Sequence, residues 1–125
     1  MKVFIVEDSE AVLERLVELI SEVEDTEVVG SAGTYEAAVA GILAERPEVA
    51  ILDIRLADDR GSGIDVLNRV KPALPGLKAI VLSNYATPQH IKASADAGAE
   101  YFLDKSADFE RIVGILQELQ DGSDG

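Results

Sequence analysis

The chain has 125 residues, 24 acidic side chains against 11 basic ones, a formal charge of −13, and no cysteine. That length suits one compact domain with its own core. The missing thiols exclude a disulfide framework, a thiolate zinc site and a cysteine nucleophile, and the lack of any Lys/Arg cluster argues against direct contact with a nucleic-acid backbone.

In chain order, the N-terminus MKVFIVEDSE turns acidic directly after VFIV (3–6), too early for a signal peptide. No run approaches the ~20 apolar residues that cross a bilayer. The expectation is therefore a soluble, cytoplasmic protein without membrane contact. Leu13, Leu16, Val17 and Ile20 follow at i, i+3, i+4 and i+7, the stripe of an amphipathic helix. EVVGSA (27–32) predicts a second strand and Tyr35, Val39, Ile42 and Leu43 a second helix. VAIL (49–52) is the third strand, and Ile64, Leu67 and Val70 mark a third helix stopped by Pro72 and Pro75. AIVL (79–82) is the fourth strand. The helical segment after Pro88 offers only Ile91 and alanines as apolar groups, with Gly98 placed to end it, so it is the least well anchored element. YFL (101–103) and the stripe Phe109, Ile112, Val113 and Leu116 complete the pattern. The domain spans 1–120, and DGSDG (121–125) reads as a frayed tail.

Continuous apolar runs rich in β-branched residues indicate strands covered on both faces. Their alternation with helices predicts an α/β fold, a parallel sheet with right-handed crossovers and helices on both sides. Ligands of such sheets bind at the carboxyl ends of the strands. Those ends carry Glu7 and Asp8, then Asp53, Ser83, and Asp104 with Lys105, whereas the second run ends without a reactive group, which suits an edge strand.

Carboxylates gathered on one rim stay ionised together only beside a cation. Mg²⁺, a hard ion commonly held by one or two carboxylates with water and phosphate, suits them. A charged Asp53 so placed is a nucleophile, and phosphorus is the natural electrophile. The metal, the Lys105 ammonium and the Ser83 hydroxyl with neighbouring N–H groups could each take one equatorial phosphoryl oxygen.

VEDS, ILDIRL, VLSN and FLDKS, in that order and each at a strand end, resemble the signature positions of response-regulator receiver domains of two-component signalling, over Lys2 to about Gln120. The resemblance implies a flavodoxin-like (CheY-like) five-stranded parallel sheet in the order 2-1-3-4-5. It implies Asp53 as phosphoacceptor, Asp8 as a direct Mg²⁺ ligand, Glu7 as a second acidic residue acting through water, and Arg55 as the donor of a backbone carbonyl to the metal. Ser83 matches the switch hydroxyl, Lys105 the family's lysine and Phe102 the rotating aromatic. The implied partners are a sensor histidine kinase or phosphotransfer protein, a downstream protein target, and a second copy of the chain in a homodimer, the last two through the face of the fourth helix, fifth strand and fifth helix.

Three departures stand out. The loop ADDRGSG lacks the usual proline at Ala57 and is about two residues longer before its glycine; Ser106 stands where many members have proline, so a trans Lys105–Ser106 bond is expected; and Phe102 has no hydroxyl. Arg55 and Tyr85 flank the acceptor, where they are expected to affect how long a phosphoryl group persists. His90 reads as a solvated surface residue, and Asp58 and Asp59 as a solvated loop.

Plainer readings remain for single residues: Asp53 as a turn cap, Lys105 as a surface partner of Asp104, Ser83 as a cap, Phe102 as core. Rival functions are a Mg²⁺-dependent aspartyl-phosphate phosphohydrolase, which would carry a second acid where Arg55 stands, and a flavin module, whose phosphate the acidic EDSEAV would repel. A degenerate receiver acting as an unphosphorylated scaffold is a third. A stand-alone signalling module, a phosphate carrier and a receiver excised from a DNA-binding transcriptional regulator all stay open.

Overall fold

The computed structural model describes residues 1–57 and 60–123. Its elements run β1 (Lys2–Val6), α1 (Glu10–Ser21), β2 (Glu27–Ala32), α2 (Tyr35–Glu45), β3 (Val49–Leu52), α3 (Gly63–Val70), β4 (Lys78–Ser83), α4 (Pro88–Asp96), β5 (Tyr101–Asp104) and α5 (Arg111–Ser123). The strands form one parallel sheet in the order β2-β1-β3-β4-β5, the predicted arrangement.

The apolar runs are continuous because both faces of the sheet are covered. Phe4, Val6, Ala50, Leu52, Ala79 and Val81 face one core with Ala38 and Ile42 of α2 and Val66, Leu67 and Val70 of α3. The alternate residues Val3, Ile5, Val49, Ile51, Ile80 and Leu82 face the other, against Leu16 and Ile20 of α1 and Ile112, Ile115 and Leu116 of α5. β2, at one edge, has no fully buried residue. Its Gly30 and α2's Gly41 enclose the Phe4 ring so closely that a Cβ on Gly41 would stand 2.5 Å from Phe4 Cζ. α2 therefore packs on the sheet through Ala38, Ile42, Val39 and Leu43, with Gly41 making room for the Phe4 ring.

Side-chain oxygens start the first four helices. Ser9, Thr34, Ser62 and Thr87 accept from the backbone N–H of Val12, Ala37, Asp65 and His90, supplying partners for otherwise orphaned donors. Ser62 and Asp65 complete a reciprocal capping box at α3. α4 begins with Pro88 and is followed by Gly98 at φ +100°. Ser94 is its buried residue, while Ile91 stays 43% exposed, so this helix is as thinly anchored as its sequence suggests.

Three details differ from the sequence reading. β4 and β5 extend to Ser83 and Asp104, which pair with each other, so the first polar residue after each apolar run still belongs to the sheet. α5 continues through Ser123, three residues into the segment expected as tail; residues 124 and 125, like Asp58 and Asp59, lie outside the described residues. His90 is half-buried and not freely solvated: its Nδ1 is 2.7 Å from Thr87 Oγ1, and its ring meets Tyr85.

Candidate functional site

The register of the sheet places the ends of β1, β3 and β5 together. Val6 pairs with Leu52, and the ladder continues one step further through the Asp53 N–H, which donates to the Val6 carbonyl at 2.9 Å. Glu7 is fixed in the same way, its N–H donating to the Ala32 carbonyl. Both carboxylates are therefore held on rigid backbone and are nearly buried, Glu7 5% and Asp53 8% exposed, whereas Asp8 opens to solvent. One carboxylate oxygen from each of Glu7, Asp8 and Asp53 lies within 4.8 Å of the others.

Lys105 answers this charge. Its Nζ lies 2.7 Å from Glu7 Oε1 and 2.8 Å from Asp53 Oδ2, and its N–H ties it to the Ser83 carbonyl at 2.9 Å. Burial works against the ammonium, but its bonds to Asp53 and Glu7 outweigh burial and hold its pKa above the ordinary 10.5. Burial is also the largest influence on Glu7. There it wins over the bonds from Lys105 and the Ser9 N–H, and with repulsion from Asp53 it raises the Glu7 pKa above 4.5. A carboxylate kept uneasy in this way, beside two others, makes an oxygen-only donor set suited to a hard divalent cation. Glu7, Asp8 and Asp53 thus fit Mg²⁺.

Ser83 is fully buried, and its Oγ accepts from the Tyr85 N–H at 3.0 Å. Phe102 is half-buried against the core beneath α2 and α3. Arg55 is exposed, with its guanidinium 4.5 Å from the centre of the Tyr85 ring. Asp104, although it ends a strand, is not among the converging carboxylates; its Oδ1 is engaged by Ser106 and Ala107. The Lys105–Ser106 bond is trans, since no cis peptide occurs among the described residues.

Two contributors escape a motif search. A Cβ on Gly63 would stand 1.9 Å from the Asp53 carbonyl oxygen, and one on Gly33 3.3 Å from Asp8 Cα. The signal for the first was the SGID box, whose capping serine fixes where α3 begins and hence how near its first residue comes to β3.

A doubly wound sheet with an acidic cluster and a lysine at the ends of β1, β3 and β5 defines a class of signalling domain. Residues 3–117 match the family model of the response regulator receiver domain, and the chain belongs to that family, the receiver domain of two-component response regulators. It is 36% identical over 122 residues to the DNA-binding transcriptional activator DevR/DosR of Mycobacterium tuberculosis, covering 98% of this chain and 55% of that protein. It is 28% identical over 122 residues to the transcriptional regulatory protein DesR of Bacillus subtilis, covering 98% and 59%. The chain thus spans little more than half the length of these relatives. Among solved structures, the isolated receiver domain of RcsB from Salmonella enterica serovar Typhimurium, with the phosphomimetic BeF₃⁻, is similar with a TM-score of 0.88 at 27% identity, covering 98% and 89% of the two chains. The CheY-like receiver domain protein of Methanospirillum hungatei JF-1 is similar with a TM-score of 0.86 at 27% identity, covering 98% and 95%. Among the described residues no helix is long and apolar enough to cross a membrane.

Proposed function

We propose that Asp53 accepts a phosphoryl group from a phosphohistidine of a sensor kinase or phosphotransfer protein. The observation that carries this reading is the Lys105 ammonium bridging Glu7 and Asp53 beside the open carboxylate of Asp8. An Asp53 carboxylate oxygen attacks phosphorus, the P–N bond to the donor imidazole breaks as the P–O bond forms, and the leaving imidazole takes its proton from solvent. Asp8 and Asp53 would hold Mg²⁺ directly, Glu7 through water and Arg55 through its carbonyl; bound there, the ion supplies positive charge to the phosphoryl oxygens.

Lys105 serves the same end from the other side. Its ammonium is already at hydrogen-bonding distance from the Asp53 oxygen beside which new charge develops. The Ser83 hydroxyl is the third donor, released from the Tyr85 N–H when it turns to the acyl phosphate. One such charge-assisted bond supplies ~1.5–3 kcal/mol, whereas moving a two-state equilibrium from 1:99 to 99:1 takes ~5.5 kcal/mol. Ser83 therefore shares the bias with Lys105 and the metal site. Space vacated by Ser83 is filled by Phe102, and the face of α4, β5 and α5 changes for its protein target or a second copy of the chain. The chemistry is confined to the chain's own aspartate, phosphotransfer and autodephosphorylation, and the place of a hydrolase's second acid is taken by Arg55.

For the whole protein, the names of the relatives and their greater length favour a transcriptional output. DNA contact would then belong to a further region, because this one carries a formal charge of −13. The test is Asp53→Asn: with acetyl phosphate and Mg²⁺ the unaltered chain gains one phosphoryl mass and the variant none. Persistent labelling of the variant would discard the assignment.

A further inference from the structure

We propose that Asp104 and Asp108 form a hydrogen-bonded box that positions Lys105, and so act as positioning residues for phosphoryl acceptance; this rests on the reading of Asp53 as acceptor. Asp104 Oδ1 accepts from the Ser106 N–H at 2.8 Å, the Ser106 hydroxyl at 2.7 Å and the Ala107 N–H at 3.2 Å. In return, Asp108 Oδ2 accepts from the Asp104 N–H at 3.0 Å, and the Asp108 N–H donates to the Asp104 carbonyl at 2.8 Å. Each carboxylate is committed to the backbone at the other's end of the loop, and Lys105 is the residue between them that reaches Glu7 and Asp53.

The box supplies what burial does not. Ser106 and Ala107 are exposed, and after Leu103 the next core side chain is Phe109, seated under the Arg15 guanidinium of α1 at 4.1 Å. Between those two anchors, apolar packing does not fix the backbone from which a long, flexible lysine must reach two carboxylates at once. Asp104 and Asp108 fix it by hydrogen bonds, and the Lys105 N–H to the Ser83 carbonyl joins the box to the end of β4. Ser106 belongs to this device because it has an N–H to give, which a proline there would lack. The lowered pKa of Asp104, caused by its bonds to the Ser106 hydroxyl and the N–H groups of Ser106 and Ala107, fits a carboxylate held charged for this work.

The test uses the whole chain with acetyl phosphate and Mg²⁺, following phosphorylation of Asp53 by mass. Asp104→Ala and Asp108→Ala are expected to slow it about tenfold, and Asp104→Asn, which keeps an acceptor oxygen, to return it to within about twofold of the unaltered rate. In a Lys105→Ala background, Asp104→Ala should slow it no further, since the group it positions is gone. Equal slowing in both backgrounds, or none from either alanine, overturns the proposal. A second readout needs no phosphorylation: the ¹⁵N signal of the Lys105 ammonium, slowed in exchange by its two carboxylates, should be lost in both alanine variants and kept in Asp104→Asn. An ammonium signal unchanged by the alanines overturns the box. A signal that depends on Asp104 in a chain that takes no phosphoryl group supports the box and overturns the acceptor reading alone.

Discussion

Gly63 opens α3 directly against Asp53: its N–H donates to the Ile54 carbonyl at 2.9 Å, and a Cβ at this position would stand 1.9 Å from the Asp53 carbonyl oxygen. The obstacle is the backbone of Asp53 itself, directly after β3, so nothing flexible can yield. Gly63→Ala must move either α3 or the end of β3. Overpacking of this kind costs about 1–3 kcal/mol, and we expect a loss in that range by urea denaturation together with slower phosphorylation of Asp53. An alanine variant as stable and as readily phosphorylated as the parent would show that the close approach is not a constraint.

Glu7→Gln should separate stability from metal binding. Because burial lifts the folded pKa of Glu7 above the 4.5 of an unfolded glutamate, its contribution to stability is full below that value and is lost as the pH rises through the folded pKa. Without metal, burial and repulsion from Asp53 thus weigh against the Glu7 charge in the folded chain as the pH rises. The neutral amide should raise the thermal midpoint at neutral pH, and the advantage should shrink toward pH 4.5. With Mg²⁺ the order is expected to reverse: on the proposal that Glu7 acts on the metal through water, the carboxylate is worth about 10–100-fold in affinity, which calorimetric titration of Mg²⁺ into both forms would measure.

The fold was readable because β1, β3 and β4 are buried on both sides, which leaves unbroken apolar runs in the sequence, and because each run stops at a residue of different chemistry. Glu7, Asp8, Asp53 and Lys105 could be placed at one rim from those stops alone. What could not be read was the direction of side chains once there. Asp104 and Lys105 are neighbours, yet the first bends back onto its own loop while the second crosses to β1 and β3. Ser83 is fully buried with its hydroxyl on the Tyr85 N–H, a local bond available to any serine two residues before a free donor. The approach of Gly63 to Asp53 depends on the angle at which α3 leaves its capping box, which no periodicity encodes.

Ser94 offers a test of how loosely α4 is held. Its Oγ is buried without a hydrogen-bond partner among the described residues, and it is the buried residue of that helix. A buried unpaired hydroxyl costs about 1–3 kcal/mol, and alanine is also the better helix former. Ser94→Ala should therefore stabilise the chain by about 1 kcal/mol and slow amide hydrogen exchange through 88–97 more than elsewhere. Lower stability of the alanine variant would mean that the hydroxyl finds a partner in solution.

Arg55 and Tyr85 come from different strand ends and meet as a stack, the guanidinium 4.5 Å from the ring centre. The Tyr85 N–H bonds Ser83 Oγ, and its ring touches His90 at the start of α4, so the pair spans from the loop after Asp53 to the loop after Ser83. A cation resting on an aromatic face is worth about 0.5–1 kcal/mol at an exposed site, and on the proposal that Asp53 is the acceptor the pair is expected to limit access of water to its acyl phosphate. Removing either half should admit water more freely. Arg55→Ala and Tyr85→Ala should each speed the decay of phosphorylated chain about two- to fivefold, the range that interaction energy allows. The double variant should decay no faster than the quicker single one, because the two act as a unit. Decay followed by loss of the phosphoryl mass after removal of acetyl phosphate decides the matter: unchanged rates in both single variants would show that the stack does not guard Asp53, and additive acceleration would show that each side chain acts alone.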